Sequence, residues 1–232
     1  MRTEQLVGVV IPTRDGERHL AEAIESVLGQ THQALDVVVA DDGSTDATRQ
    51  IARSYAPEVR CIPLPHRGLG ATRNAGIRSV RGDYVAFLDQ DDVWPERKLE
   101  LQLGLFDERP SPHLVFGAVR EFISPELEPG LARRIRCLPE ARPAALPGAM
   151  LTTRATLAEV GPFASRWRSN DFLAWLLTAR RQGLREAMLA EPVLWRRLHQ
   201  FNTSHQGEVT RAEYLHVLKE SLDCRRTEAR GR

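Results

Sequence analysis

The sequence predicts an α/β protein with a doubly wound, mostly parallel sheet. Two observations carry the prediction. Short runs rich in β-branched residues alternate with stretches whose apolar residues recur at helical spacing, the pattern of successive β-α units. Several of these runs also end in polar or acidic turns, at the carboxyl ends of strands where such sheets bind ligands.

Taken in order, Val7-Gly8-Val9-Val10-Ile11 forms the first strand, closed by Pro12, and Leu20, Ile24, Val27 and Leu28 mark the helix after it. Val37-Val38-Val39 is the second strand, ending at Asp41-Asp42-Gly43, with Ser44 or Thr45 as the cap of a helix containing Ile51. Val59 to Ile62 and a helix from about Gly70 to Val80 make the third unit. Tyr84 to Leu88 is the fourth strand, and Trp94-Pro95-Glu96-Arg97 opens the helix that follows. Leu114 to Val119 is a further strand, whereas the proline- and arginine-rich stretch 124–149 lacks periodicity and predicts a long loop. Asn170 to Gln182 reads as a helix with Phe172, Leu173, Leu176 and Leu177 on its apolar side, Val193 to Leu198 as a strand, and Glu208 to Arg226 as a final amphipathic helix with a basic end.

Composition narrows the class of function. The chain has 232 residues, 42% hydrophobic and 27% charged, enough for one domain with a sizeable core. A formal net charge of +1 gives no global field to attract nucleic acid. Cys61, Cys137 and Cys224 are an odd, scattered set, which fits a reducing compartment and packing roles. No apolar run has the ~20 residues of a membrane span, and the N-terminus lacks the apolar core of a signal peptide, so a cytoplasmic location is expected.

The chemistry concentrates at Asp89-Gln90-Asp91-Asp92, where three carboxylates follow an apolar strand. Such a cluster repels itself unless a cation relieves it. Carboxylates at a strand end suit Mg²⁺ or Mn²⁺, which take few protein ligands and leave positions for phosphate oxygens and water. The plain alternative is a solvated acidic turn before a helix. The first strand is followed by Pro-Thr-Arg-Asp-Gly, neither a Walker A loop nor a GxGxxG turn, and Gly68-Leu69-Gly70 is only a fragment of the latter.

Four ordered blocks carry a resemblance: Ile11-Pro12-Thr13-Arg14-Asp15, Asp41 through Asp46, Arg73-Asn74-Ala75-Gly76, and Gly82-Asp83-Tyr84 through Asp92. In that order and spacing they resemble the family 2 glycosyltransferases of the GT-A fold, whose sheet is Rossmann-like and nucleotide-binding. Looser matches follow at Gly148 to Leu151, Val160 to Phe163, Asn170-Asp171, and Arg197-Leu198-His199 with Asn202-Thr203-Ser204.

The resemblance implies an inverting, metal-dependent transfer from a nucleoside-diphosphate sugar, usually a UDP-sugar, with Mn²⁺ or Mg²⁺ as cofactor. Pro12, Thr13, Asp41, Asp42 and Arg73 fall at donor-nucleotide positions. Asp89 and Asp91 match the ends of the DxD motif, Asp89 toward the ribose and Asp91 on the metal. His199 matches a histidine that reaches the metal or diphosphate. Asp171 falls where the family places its catalytic base, in a pair that is commonly Glu-Asp and here is Asn170-Asp171. The chain then divides into a donor half (1–105), an acceptor half (106–206), and a C-terminal helix with a basic tail (207–232) within one domain. The acceptor stays open among a peptide, a saccharide and a small molecule.

Other readings use the same residues. Asp171 alone could be a first-turn carboxylate favoured by the helix dipole, and His199 a hydrogen-bonded structural histidine. A nucleotidyltransferase or phosphohydrolase could also use Asp89-Gln90-Asp91, although an aspartyl nucleophile is expected after the first strand and not the fourth. A non-catalytic nucleotide-binding module is the third alternative.

Overall fold

The computed structural model describes residues 5–107, 111–138, 140–200 and 207–230. Strands β1 (Val7–Thr13), β2 (Leu35–Asp41), β3 (Val59–Pro63) and β4 (Tyr84–Phe87) are parallel in the order β3-β2-β1-β4. Helices α1 (Leu20–Leu28), α2 (Thr48–Ser54) and α3 (Leu69–Ser79) connect them. Both faces of this sheet are covered, which explains why its strands read as unbroken apolar runs. Val9, Ile11, Val37 and Val39 pack on one side with Leu20, Ile24 and Val27, while Val10, Val38, Val85 and Phe87 pack on the other. The chain moves outward from β1 to β3 and then returns across it to β4, so the topological switch point lies between the carboxyl ends of β1 and β4.

The second half of the chain is built differently. After α4 (Lys98–Phe106) come β5 (Leu114–Ile123), α5 (Pro129–Ala132), β6 (Arg142–Ala144), a 3₁₀ turn (Pro147–Ala149), β7 (Leu151–Thr153), α6 (Arg154–Val160), α7 (Asp171–Arg181), β8 (Glu186–Leu198) and α8 (Gly207–Arg230). β7 joins the first sheet half to the second, antiparallel to both β4 and β5, and β8 runs parallel to β5. No helix among the described residues is long and apolar enough to cross a membrane.

Three expectations need correction. The stretch 124–149 is not one long loop, since its Ala144 and Arg142 pair with Gly117 and Val119 as β6. Neither Ser44 nor Thr45 caps α2: Ser44 Oγ accepts from the Asp15 amide at 2.9 Å, Thr45 donates to Asp15, and Asp46 takes over by accepting from the Thr48 amide at 3.0 Å. The helix expected to open at Trp94 begins at Lys98, because Trp94 is 2% exposed and its indole donates to the Gly148 carbonyl at 2.9 Å.

Lys98 is fully buried. Its Nζ donates to Gln102 Oε1 at 2.5 Å and lies 4.4 Å from the Trp94 ring centroid, and burial lowers its pKa well below the ordinary lysine value. Gln102 in turn donates to the Val115 and Ala149 carbonyls, tying α4 to β5 and the 3₁₀ turn.

Helix α3 carries Arg73 and lies on β1 with no room to spare. A Cβ at Gly76 would stand 2.2 Å from Val10 Cγ1. Gly76→Ala is expected to cost about 1–3 kcal/mol by overpacking, outweighing the gain in helix propensity. Urea denaturation checks this, and an unchanged midpoint would mean that the helix shifts without penalty.

Candidate active site

The carboxyl ends of β1, β2 and β4 meet at the switch point. The Asp42 amide donates to the Thr13 carbonyl at 2.8 Å, joining the turns after β2 and β1. Gln90, from the turn after β4, accepts from Thr13 Oγ1 at 2.5 Å and from the Arg14 amide at 2.8 Å, and donates back to the Arg14 carbonyl at 3.1 Å. Gln90 therefore closes the seam across the switch point. Between two aspartates in the sequence, Gln90 had no evident role of its own.

A cleft of about 1560 Å³ opens above this seam, lined by Pro12, Thr13, Asp42, Arg73, Asp89, Asp91 and His199. Residues of the 106–206 segment, among them Glu126, Leu146, Arg168, Asn170 and Leu173, line the same cleft, as does Tyr214 of α8. Asp41 and Asp171 are not in the lining. Asp41 is fully buried, accepts from the Ser44 amide at 3.0 Å and pairs with Arg49. Asp42 faces the cleft but its carboxylate is occupied, accepting from the Arg67 and Gly68 amides at 2.8 and 3.0 Å and meeting His66 Nδ1 at 2.8 Å. It thereby fixes the entry to α3, where Gly68 takes φ +88°.

The self-repelling carboxylates after β4 each have a separate partner. Asp89 accepts from Arg73 Nη2 at 3.1 Å, Asp91 Oδ2 meets His199 Nε2 at 2.9 Å, and Asp92 accepts from the Arg197 amide at 2.9 Å. Asp92 is 6% exposed, and desolvation followed by repulsion from Asp91 and Asp89 raises its pKa well above the ordinary value. Asp92 belongs to the framework: its bond to β8, with the Val93–Trp195 backbone pair, seats the strand that delivers His199. Arg197 strengthens the joint, donating through Nε to the Asp91 carbonyl at 2.9 Å while pairing with Glu22.

Arg73 and Asp171 form the deepest ion pair of the site. Asp171 is fully buried, Arg73 is 2% exposed, and Arg73 Nη1 donates to Asp171 Oδ2 at 2.6 Å. Because Arg73 also reaches Asp89, one guanidinium joins α3 to the turn after β4 and to the start of α7. Asp171 Oδ1 and Arg73 Nε have no hydrogen-bond partner among the described residues. A buried oxygen left without one costs about 1–3 kcal/mol, so the pair carries an uncompensated cost beneath the cleft.

Asp91 Oδ2 and His199 Nε2 suit a divalent cation. Their 2.9 Å contact is a hydrogen bond, which a bound ion would replace. A carboxylate with an imidazole is a donor set that such ions accept. Among the described residues no group of three or more His, Cys, Asp or Glu could hold a metal ion, so further positions would fall to ligand oxygens and water. Asn202, Thr203 and Ser204 lie outside the described residues.

A family model described as glycosyl transferase family 2 matches residues 8–170. An uncharacterised glycosyltransferase of Rickettsia prowazekii is 35% identical over 102 residues, covering 44% of this chain and 32% of that protein, so the chain spans about a third of that relative's length. Staphylococcus aureus TarS (residues 1–349), solved with UDP-GlcNAc, superposes with TM-score 0.75 at 19% identity over 93% of this chain and 65% of that one. The mannosyltransferase PcManGT of Pyrobaculum calidifontis, solved with GDP-Man and Mn²⁺, gives TM-score 0.61 at 20% identity over 87% and 59% of the two chains. The solved structures show the GT-A fold, and the family match covers well over half of the sequence and all four ordered blocks. The chain belongs to the family 2 glycosyltransferases.

Proposed function

We propose that this chain is a metal-assisted, inverting glycosyltransferase whose donor is a nucleoside-diphosphate sugar, with a UDP-sugar favoured. The observation that carries the reading is the convergence of Thr13, Asp42, Arg73, Asp89 and Asp91 on one cleft at the switch point of the sheet. Residues 1–105 would bind the donor and 106–206 the acceptor, with a peptide, saccharide or small molecule as the acceptor classes open. Asp91 and His199 would hold Mn²⁺ or Mg²⁺, and the bound ion would neutralise charge on the departing diphosphate. Solved relatives with UDP-GlcNAc, and with GDP-Man and Mn²⁺, support this donor class.

In the proposed transfer the acceptor heteroatom bonds to the anomeric carbon while the bond from that carbon to the diphosphate oxygen breaks, its electron pair leaving with the diphosphate. The acceptor proton passes to Asp171, whose Oδ1 is the oxygen not engaged by Arg73. A second reading, a nucleotide-binding module without turnover, is favoured by the complete burial of Asp171.

Calorimetric titration with UDP and GDP, each with Mn²⁺ and with EDTA, tests the donor site. UDP is expected to bind preferentially and to weaken with EDTA. Asp91→Asn should weaken binding in Mn²⁺ by about tenfold or more and remove the EDTA effect, since the ion loses its carboxylate. No nucleotide binding under any condition would sink the reading. Binding without conversion of any nucleotide sugar would favour the module.

A further inference from the structure

The family match stops at Asn170, yet the structure returns a carboxylate to that point from the C-terminal helix. Glu213 of α8 accepts from the Arg168 amide at 2.5 Å, from the Ser169 amide at 3.1 Å and hydroxyl at 2.8 Å, and from Asn170 Nδ2 at 2.8 Å. Four donors from three consecutive residues converge on one side chain. A carboxylate only accepts, so Asn170 must turn its amide nitrogen toward α8, and bonds to an ionised acceptor are about twice as strong as neutral ones. Asn170 is 9% exposed, lines the cleft, and stands one residue before Asp171.

The rest of α8 supports the placement. Glu220 pairs with Arg166 at 2.8 Å, the His216 and Trp167 rings meet edge to face at 5.9 Å, and Val217 is 2% exposed. Tyr214, next to Glu213, lines the cleft directly. The helix therefore touches the turn before α7 at residues 166–170, packs on α7 itself, and adds a wall to the acceptor end.

We propose that Glu213 is a positioning residue for the acceptor end of the cleft, holding the 168–170 turn so that Asn170 and the first turn of α7 keep the geometry that transfer needs. Donor binding, which uses the far end of the cleft, does not depend on it. The role in transfer rests on the proposed function, whereas the latch itself does not.

The test uses the full chain with Glu213→Ala, Glu213→Gln and Glu213→Asp. Amide hydrogen exchange across residues 168–176 is expected to rise about tenfold or more in the Ala variant, as an opened turn exposes its amides, and to recover in part with Asp. Affinity for UDP with Mn²⁺ should stay within about twofold of the unchanged chain. Turnover of a panel of UDP-sugars, with water as acceptor, should fall about 10–100-fold in kcat through lost positioning, with donor KM unaltered. Unchanged exchange in the Ala variant overturns the latch. Equal loss of UDP affinity and turnover overturns the positioning role, because a general collapse would produce both. If the unchanged chain binds no UDP, the donor reading fails, and the exchange measurement still decides whether Glu213 holds the turn.

Discussion

Arg73→Met is expected to lower stability by about 3–5 kcal/mol and to abolish UDP binding. The stability loss follows from burial: Asp171 is fully buried, and without the guanidinium its carboxylate becomes an uncompensated charge in the interior. Asp89, with 36% of its side chain exposed, can turn to water and suffers less. The surroundings of the pair are apolar and aromatic, with the Phe163 ring centroid 6.0 Å from the guanidinium carbon and Phe163 stacked against Trp175 and Phe172. Arg73→Met/Asp171→Leu should therefore regain most of the lost stability while remaining unable to bind donor, since replacing both members of a buried pair by apolar groups is often neutral or better. Arg73→Lys should fall between, because a single ammonium cannot reproduce the fork that serves Asp171 and Asp89 together. Urea denaturation of the single and double variants gives the coupling directly. A double variant as unstable as the sum of its single changes would show that the pair contributes nothing as a pair.

The first half of the chain was legible because two signals coincide there. Buried parallel strands are apolar throughout, so Val7 to Ile11 and Val37 to Val39 stand out without alternation, and the sites they carry lie a few residues beyond their ends. The second half gave weaker signals. β6 is three residues long and contains Pro143, and β8 begins at Glu186 in a stretch whose burial is mixed, so neither has an apolar run to announce it. Its first rungs are held by backbone pairing to β5, which composition does not encode.

Partnership was the other hidden quantity. The spacing Asp89, Asp91, Asp92 identifies a crowded acidic turn, but only the fold assigns the three to Arg73, His199 and the Arg197 amide, over separations of 16, 108 and 105 residues. Glu213 is the extreme case. Nothing around it in the sequence separates it from any other glutamate on an amphipathic helix, and its meaning comes from the turn 43 residues away that it holds. The same holds for Asp171, which the resemblance singled out while its ion pair with Arg73 was not readable.

That ion pair sharpens what Asp171→Asn should do. The amide is nearly isosteric, can present its oxygen to Arg73 Nη1, and leaves the guanidinium bonded to Asp89, so donor affinity in Mn²⁺ is expected to stay within about threefold. The stability loss should be about 1–3 kcal/mol, because a hydrogen bond survives where the charge does not. Turnover should fall by about 10²–10⁴, the usual value of a positioned base, and kcat and kcat/KM should fall together. A structural Asp171 predicts a different pattern, in which turnover changes as little as UDP affinity, because the amide still holds Arg73. An unchanged kcat would move the base to a carboxylate that already lines the cleft, with Glu126 as the acceptor-half candidate to replace next. The ratio of the two losses, and not the size of either, therefore separates proton acceptance from support of Arg73.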